Sequence, residues 1–421
     1  MMPAAVETTA GGPSALGILT KLESAPTSAG FTDVTGKLLS GRSLIRARRW
    51  IEQIQTEDAR MVRFAQLAFL REHLPAEFRT RSCLGFLRFD QDFLSLLYSH
   101  QANKARFHGA AVCGSVWACP VCAERITANR RKELKKLLAL TEYRIVMVTL
   151  TLSHHRGEEL AGMVDDLNHA VRRTKTGRAW RRFEEKWGLQ GHIYALEVTY
   201  GRNGWHPHRH EIFVLDPGKF PGKTPAELKE LYESEMQAEL FDLYHAQLNK
   251  AGRDCDEEHG CVVSANRRDY GDYIEKWGCS EELTRSTRKE ASGGGRSVWE
   301  LLTAAVNGDA WSWALYLEYA RAFKGKKQLH WSKGLRDLLV LPAELSDQEA
   351  AETGEEQENL IAAFSQDGLF YLRDHDLYGP VIRETERVKG DIDLVMSFLA
   401  RMGLHGFIFT PEQMALRVGV K

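Results

Sequence analysis

The chain has 421 residues, 43% hydrophobic and 27% charged, the profile of a globular protein long enough for two or three domains. It contains no run of 18 apolar residues, so no membrane-spanning helix and no membrane partner are expected. A net charge of −1 counts against a nucleic-acid binder, although this average hides the basic clusters described below.

Taken in order, residues 1–36 are rich in Ala, Gly, Ser, Thr and Pro and lack a basic start followed by an apolar block. Residues 1–40 are therefore expected to form a disordered tail and not a signal peptide, and the chain is expected to be cytoplasmic. Residues 41–140 read as a helical region carrying a cysteine site. Three of the seven cysteines fall in Cys113-Gly-Ser-Val-Trp-Ala-Cys119-Pro-Val-Cys122. Such a knuckle in a cytoplasmic chain points to structural Zn²⁺ more than to a disulfide. Tetrahedral zinc needs a fourth ligand, for which Cys83, His108 and His100 are the candidates. A redox pair of thioredoxin type fits less well, because no strand-then-helix context surrounds it.

Glu124–Leu140 is amphipathic, Arg144–Leu152 is a β-branched strand, and Leu160, Met163, Val164, Leu167 and Val171 recur at helical spacing. His192–Tyr200 and Pro207–Leu215 form a hairpin about Gly201–Gly204. Thr224-Pro225-Ala226-Glu227 is a capping box opening a long helix. A short strand, Gly260–Ala265, and a short helix, Asp269–Trp277, follow. The order β-α-β-β-α-β-α matches the ferredoxin-like (RRM-like) split arrangement of an α+β fold, βαββαβ.

On the second arm of that hairpin, His208 and His210 project from one face, because strand side chains alternate. Glu197, on the first arm, can sit across from them. His206 shares the face and flanks the site. Two imidazoles and one carboxylate suit a divalent cation with positions left open for substrate.

Basic residues cluster twice. One stretch holds Arg172, Arg173, Lys175, Arg178, Arg181, Arg182 and Lys186, and the other holds Lys326 and Lys327 among six cations between residues 321 and 336. The aromatics Trp180, Phe183, Trp187, Phe323 and Trp331 are interleaved with them. This pattern fits phosphate neutralisation with base stacking, and Arg172, Arg173, Arg181, Arg182, Lys326 and Lys327 are the candidate contacts. Solvated helix faces would give the same pattern.

The histidine segment resembles the HUH (His-hydrophobe-His) motif of the HUH endonucleases, and in detail the rolling-circle replication initiators of plasmids, whose motif commonly reads Pro-His-x-His. Arg209 departs from it, since the middle position is usually apolar; this points to an opposite sheet face that is partly open or contacts phosphate. Val148-Thr149-Leu150-Thr151-Leu152 resembles the first motif of that family. Asp269-Tyr270-Gly271-Asp272-Tyr273-Ile274-Glu275-Lys276-Trp277 resembles its third, Tyr-x-x-Lys.

The resemblance implies an HUH nuclease core at 141–290, with Glu197 completing the His208–His210 set around Mg²⁺ or Mn²⁺. It implies Tyr273 as nucleophile and Lys276 as its partner. It favours Cys83 as the fourth zinc ligand. Either Tyr270 as a second nucleophile or Asp269 as an acid would serve the terminating step. The implied partners are single-stranded and double-stranded origin DNA and host replication proteins, a helicase and a polymerase. Residues 296–342 are expected to be a helical DNA-contacting extension, and 343–421 an acidic linker with a helical appendage. Other readings are an HUH transposase or relaxase, a non-catalytic zinc-containing DNA-binding regulator, and a zinc hydrolase using His208, His210 and Glu197.

Overall fold

The computed structural model describes residues 59–139, 143–265, 295–355 and 357–418. The strands among them are, in chain order, β1 (Leu94–Ser99), β2 (Lys104–His108), β3 (Arg144–Thr151), β4 (Leu189–Gly201), β5 (Gly204–Leu215), β6 (Cys261–Ser264), β7 (Arg296–Ser297), β8 (Leu329–Trp331), β9 (Asn359–Phe364) and β10 (Ile408–Phe409). The fold is α+β, with two antiparallel sheets and many helices. No described helix is long and apolar enough to cross a membrane.

The larger sheet has the order β6-β3-β5-β4, with β7 and β8 both added to β4. Every pairing in it is antiparallel. β3 is the β-branched RIVMVTLT segment, whose alternating side chains suit a pleated surface buried on both sides. The expected helix after it spans Leu160–Thr174, and Leu160, Met163, Val164, Leu167 and Val171 are all fully buried.

A second helix, Gly177–Trp187, follows where the sequence shows a basic cluster. It stops at Gly188, whose φ of 69° is the left-handed conformation that glycine adopts without strain. The β4–β5 hairpin is long, pairing residues from Leu189↔Leu215 to Gly201↔Gly204, with one register shift between Leu189 and Gly191. The Thr224 capping box forms as expected, with Pro225 at the first helical position.

The histidine strand divides the two sides of this sheet. Arg209, Glu211 and Phe213 point under the 160–174 and 177–187 helices, where Trp180 and Phe183 lie against Phe213. On the other side, Ile212 and Val214 pack with Leu134 and Leu137 of the Pro120–Ala139 helix and with Leu329 and Leu335. The apolar end of that face is therefore sealed, and the end bearing His206, His208 and His210 is not part of this core.

Two expectations need correcting. Residues 41–140 are not purely helical, because they contain the β1–β2 hairpin. Residues 343–421 are not an appendage on a linker. β9 pairs with both β1 and β10, placing it inside the sheet β10-β9-β1-β2. The acidic stretch is fastened to basic partners. Glu344 meets Lys327 at 3.4 Å, Glu352 meets Arg88 at 2.5 Å, Glu358 meets Arg106 at 2.6 Å, and Asp347 pairs with Arg130. Glu355 lies 3.3 Å from Lys104 and 3.1 Å from Lys132. Its negative charge reads as a linker in isolation, but it complements cations far away in sequence.

Candidate functional site

The cysteine cluster assembles from three local pieces. Cys83 follows the 3₁₀ turn Arg79–Ser82, Cys113 follows β2, and Cys119 and Cys122 bracket Pro120, which opens the 120–139 helix. All four are buried. Among the described residues, they are the one set of three or more His, Cys, Asp or Glu side chains whose donor atoms all lie within 4.8 Å of one another. Sγ separations are 3.6 Å for Cys83–Cys122, 3.6 Å for Cys113–Cys122 and 3.7 Å for Cys119–Cys83.

These distances are far longer than the roughly 2.05 Å of a disulfide. They are close to the spacing of about 3.8 Å that a tetrahedron with metal–sulfur bonds of about 2.3 Å requires. The Ser115 and Cys122 backbone N–H groups donate to Cys113 and Cys119 sulfur at 3.5 Å, which favours thiolates. Burial and the neighbouring thiols push the Cys119 thiol well up, so a cation is what would hold this set deprotonated. The group could hold a metal ion such as zinc. His108 and His100 lie elsewhere, His108 beside Arg106 and His100 against the Tyr98 ring.

On the larger sheet, Glu197 is the direct cross-strand partner of His208. His210 Nε2 lies 3.0 Å from Glu197 Oε2, and the His208 and His210 rings are nearly parallel with centroids 5.7 Å apart. The three residues thus share a face, as alternation implies. They form a more open arrangement than the thiols. Thr149 of β3, paired with His210 in register, places its Oγ1 3.0 Å from His210 Nδ1. That contact fixes the ring so that Nε2 faces the carboxylate. Thr149 is a functional candidate the sequence reading missed, and its signal was parity with Thr151 on the strand beside the histidines.

His206 extends the row, its ring centroid 3.9 Å from that of His208. Burial is the main reason that His208 is held down to about 3 and His206 to about 4; neighbouring imidazoles add to it. Burial alone would raise the Glu197 carboxyl, but its hydrogen bond with His210 and the nearby imidazoles hold it below the usual range. Neutral imidazoles beside an ionised carboxylate are the protonation states in which these groups bind a cation.

These burials carry a pH prediction. His192, His206 and His208 are held to about 4, 4 and 3 in the folded chain, against about 6.5 unfolded. The unfolded chain therefore takes up protons first. Stability is intact above about pH 6.5 and is lost progressively as pH falls toward the folded values. The urea midpoint should be lower at pH 5 than at pH 7, and His192→Phe should flatten part of that slope. An unchanged midpoint across this interval would contradict the burial of neutral imidazoles.

The other candidates are distributed differently. Asp269, Tyr270, Tyr273 and Lys276 lie outside the described residues. Arg172, Arg173, Arg181 and Arg182 are exposed, but on helices covering the face opposite the histidines. The interleaved Trp180, Phe183 and Trp187 are 4% exposed or less, as is Phe323, so they belong to the core and are not available to stack bases. Lys175 is buried against Glu211 and is not a surface cation. Lys326 and Lys327 line a cleft of about 370 Å³ beside Cys113, paired with Asp165 at 2.6 Å and Glu344 at 3.4 Å respectively. Arg209 corrects another expectation. The face it occupies is closed, and its guanidinium donates to Glu211 at 2.6 Å and to Asn168 at 2.9 Å while lying 3.4 Å over the Tyr194 ring.

Comparison with known proteins places these features in context. Residues 104–241 match the family described as "Replication protein", a span holding Cys113, Cys119, Cys122, Glu197, His208 and His210. A "Protein rep" of Streptomyces lividans is 28% identical over 324 residues, taking in 62% of this chain and 69% of that protein. A "Neomycin resistance protein" of Streptomyces cyanogenus is 31% identical over 143 residues, 27% of this chain and 32% of that protein. No solved structure matches.

Proposed function

We propose, from the match of residues 104–241 to the replication protein family and the likeness to the Streptomyces lividans "Protein rep", that the chain initiates rolling-circle replication of a plasmid by nicking and rejoining one strand at its origin. The observation carrying this reading is the sheet site: Glu197, His208 and His210 converge on one face of adjacent antiparallel strands, with Thr149 orienting His210. The strand order β6-β3-β5-β4 around the 160–174 and 237–250 helices supports a βαββαβ core of the HUH type.

The donor types suit a divalent cation, since His208 and His210 offer imidazole nitrogens and Glu197 a carboxylate held below its usual range. Bound there, Mg²⁺ or Mn²⁺ would polarise the scissile phosphate. The residues of the chain account for the remainder of the chemistry. Tyr273 Oη attacks phosphorus, the phenol gives up its proton, and the bond from phosphorus to the 3′-oxygen breaks. The 3′-oxygen takes a proton to become a free 3′-OH, and the 5′-phosphate remains esterified to Tyr273. Because a free phenol near pKa 10 is only about one part in a thousand ionised at pH 7, the phenolate needs a stabilising cation, the part this reading assigns to Lys276. The 3′-OH is then a primer for a host polymerase. A second transfer, aided by Tyr270 or Asp269, reverses the bonding and closes the displaced strand.

Incubating the full chain with a labelled single-stranded origin oligonucleotide and Mn²⁺, then running a denaturing gel, tests the proposal. A denaturation-resistant protein–DNA adduct is expected for wild type and for Tyr270→Phe, and none for Tyr273→Phe. Cleavage that persists in Tyr273→Phe would identify a hydrolase. Binding without cleavage on every origin fragment would identify a regulator.

A further inference from the structure

Away from the cysteine cluster and the histidine face, a cavity of about 550 Å³ is lined by the 59–73 helix, the 120–139 helix, β2 and residues 353–355. Gly354 allows that last segment its close approach, since a Cβ there would come within 2.2 Å of Arg106 Nη2. Six cations line the cavity: Arg60, Arg63, Lys104, Arg106, Arg125 and Lys132. Four of them are matched by carboxylates. Glu358 takes Arg106, Glu355 is shared by Lys104 and Lys132, and Arg60 pairs with Glu386.

The other two guanidinium groups are short of acceptors. Arg63 is 7% exposed, and its Nη1 stands 3.6 Å from Glu124 Oε2, too far for a hydrogen bond. Both atoms are buried with no hydrogen-bond partner among the described residues, a costly state for polar groups. Arg125 carries five N–H donors, yet among the described residues its guanidinium donates only to Ala351 O, at 3.3 Å. Burial lowers its pKa and the charge of Arg106 adds to that, while the Cys122, Cys83 and Cys119 thiols pull the other way.

A guanidinium fork with unfilled donors matches the oxygens of a phosphate. Phe64, Val121, Ala128 and Ile382 make another part of the wall apolar. The volume lies within the roughly 300–1,000 Å³ of small-molecule sites and far exceeds what an inorganic phosphate fills. Guanidinium donors and an apolar wall in one cavity call for an anion with an apolar body.

We propose that this cavity binds a nucleoside di- or triphosphate, its phosphates on Arg63 and Arg125 and its base along Phe64 and Ile382. Lys132, whose side chain is 56% exposed, adds charge for the phosphates. The ligand would tie the 59–73 helix to the 120–139 helix, so its binding should raise the thermal midpoint.

The test is calorimetric titration of ADP into the zinc-loaded full chain without added Mg²⁺ or Mn²⁺, so that no cation at the histidines captures the phosphates. Adenosine, inorganic pyrophosphate and a single-stranded oligonucleotide are titrated alongside. Wild type should bind one ADP per chain, with adenosine and pyrophosphate each much weaker. Arg125→Gln should bind ADP about 10–100-fold more weakly, the loss expected for hydrogen bonds to a charged group. Lys132→Glu, which leaves the core untouched, should weaken it about 10-fold with an unchanged midpoint in the absence of ADP. No uptake of ADP by wild type would overturn the proposal, as would wild-type affinity in both variants. Pyrophosphate binding as tightly as ADP would leave the apolar wall without a part and sink the nucleoside assignment. An oligonucleotide that ADP cannot displace would make the cavity part of a DNA path instead.

Discussion

Replacing Cys119 with serine, or stripping metal from the cysteine cluster with a strong chelator, should unfold much more than the knuckle. Structural zinc in small modules contributes about 10–16 kcal/mol of apparent binding energy to folding, comparable with the whole 5–15 kcal/mol by which native proteins are stable. Here Cys83, Cys113, Cys119 and Cys122 all belong to the main hydrophobic core and do not form a separate module. Arg71 donates to Cys83 O at 2.7 Å and Tyr378 donates to Leu84 O at 2.7 Å, so an N-terminal helix and a C-terminal one both close on this loop. The 120–139 helix starts inside the cluster, and Leu134 and Leu137 near its other end pack with Ile212 and Val214 of the histidine strand. Loss of the ion should therefore lower the thermal midpoint of the whole chain and weaken divalent-cation binding at the histidines. The purified protein should carry one zinc per chain, released on denaturation. A Cys119→Ser protein with an unchanged midpoint and no metal in either form would show the four thiols to be merely packed together.

The parts of this structure that sequence made legible are those written in a short period. The 160–174 helix, β3 and the β4–β5 hairpin follow from spacing alone, and the Thr224 cap follows from local chemistry. The pairing of Glu197 with His208 was legible because alternation and a short turn fix register. Contacts across long sequence separations were not. β9 pairs with β1 across more than 250 residues, and nothing in residues 359–364 announces that partner. The charge pattern misled for the same reason. Glu344, Glu352 and Glu358 read as a solvated stretch until Lys327, Arg88 and Arg106 are brought to them by the fold. Interleaved Trp180, Phe183 and Trp187 looked like stacking groups, but at i, i+3 and i+7 they are the inward stripe of a helix whose arginines face out.

Glu211→Gln should destabilise the fold by about 3–5 kcal/mol, the usual cost of breaking a buried ion pair by removing one partner. Glu211 is completely buried on the helix-covered face of the histidine strand. It pairs with Lys175 and accepts from Arg209 Nε at 2.6 Å. Burial pulls the Lys175 ammonium down to about 8 against the attraction of Glu211. Burial would raise Glu211, but Lys175 and Arg209 outweigh it and hold the carboxyl to about 2. Without that carboxylate two cations remain under the 160–174 helix, with Asn168, the more distant Glu184 and the aromatic faces of Tyr194, Trp180 and Phe213 as company. Arginine stays charged, so Lys175 gives up its proton. Its folded value then lies further below the unfolded value of about 10.4, the unfolded chain binds the extra proton, and stability rises with pH. The deficit of Glu211→Gln, read from urea unfolding, should accordingly shrink between pH 7 and pH 9, and adding Lys175→Met should recover part of it at pH 7. Because the network lies on the face opposite the imidazoles, Mn²⁺ affinity should change little below the variant's unfolding temperature. A Glu211→Gln protein within about 1 kcal/mol of wild type would mean that water reaches this face, and that Arg209 is held by its ring contact and Asn168 alone.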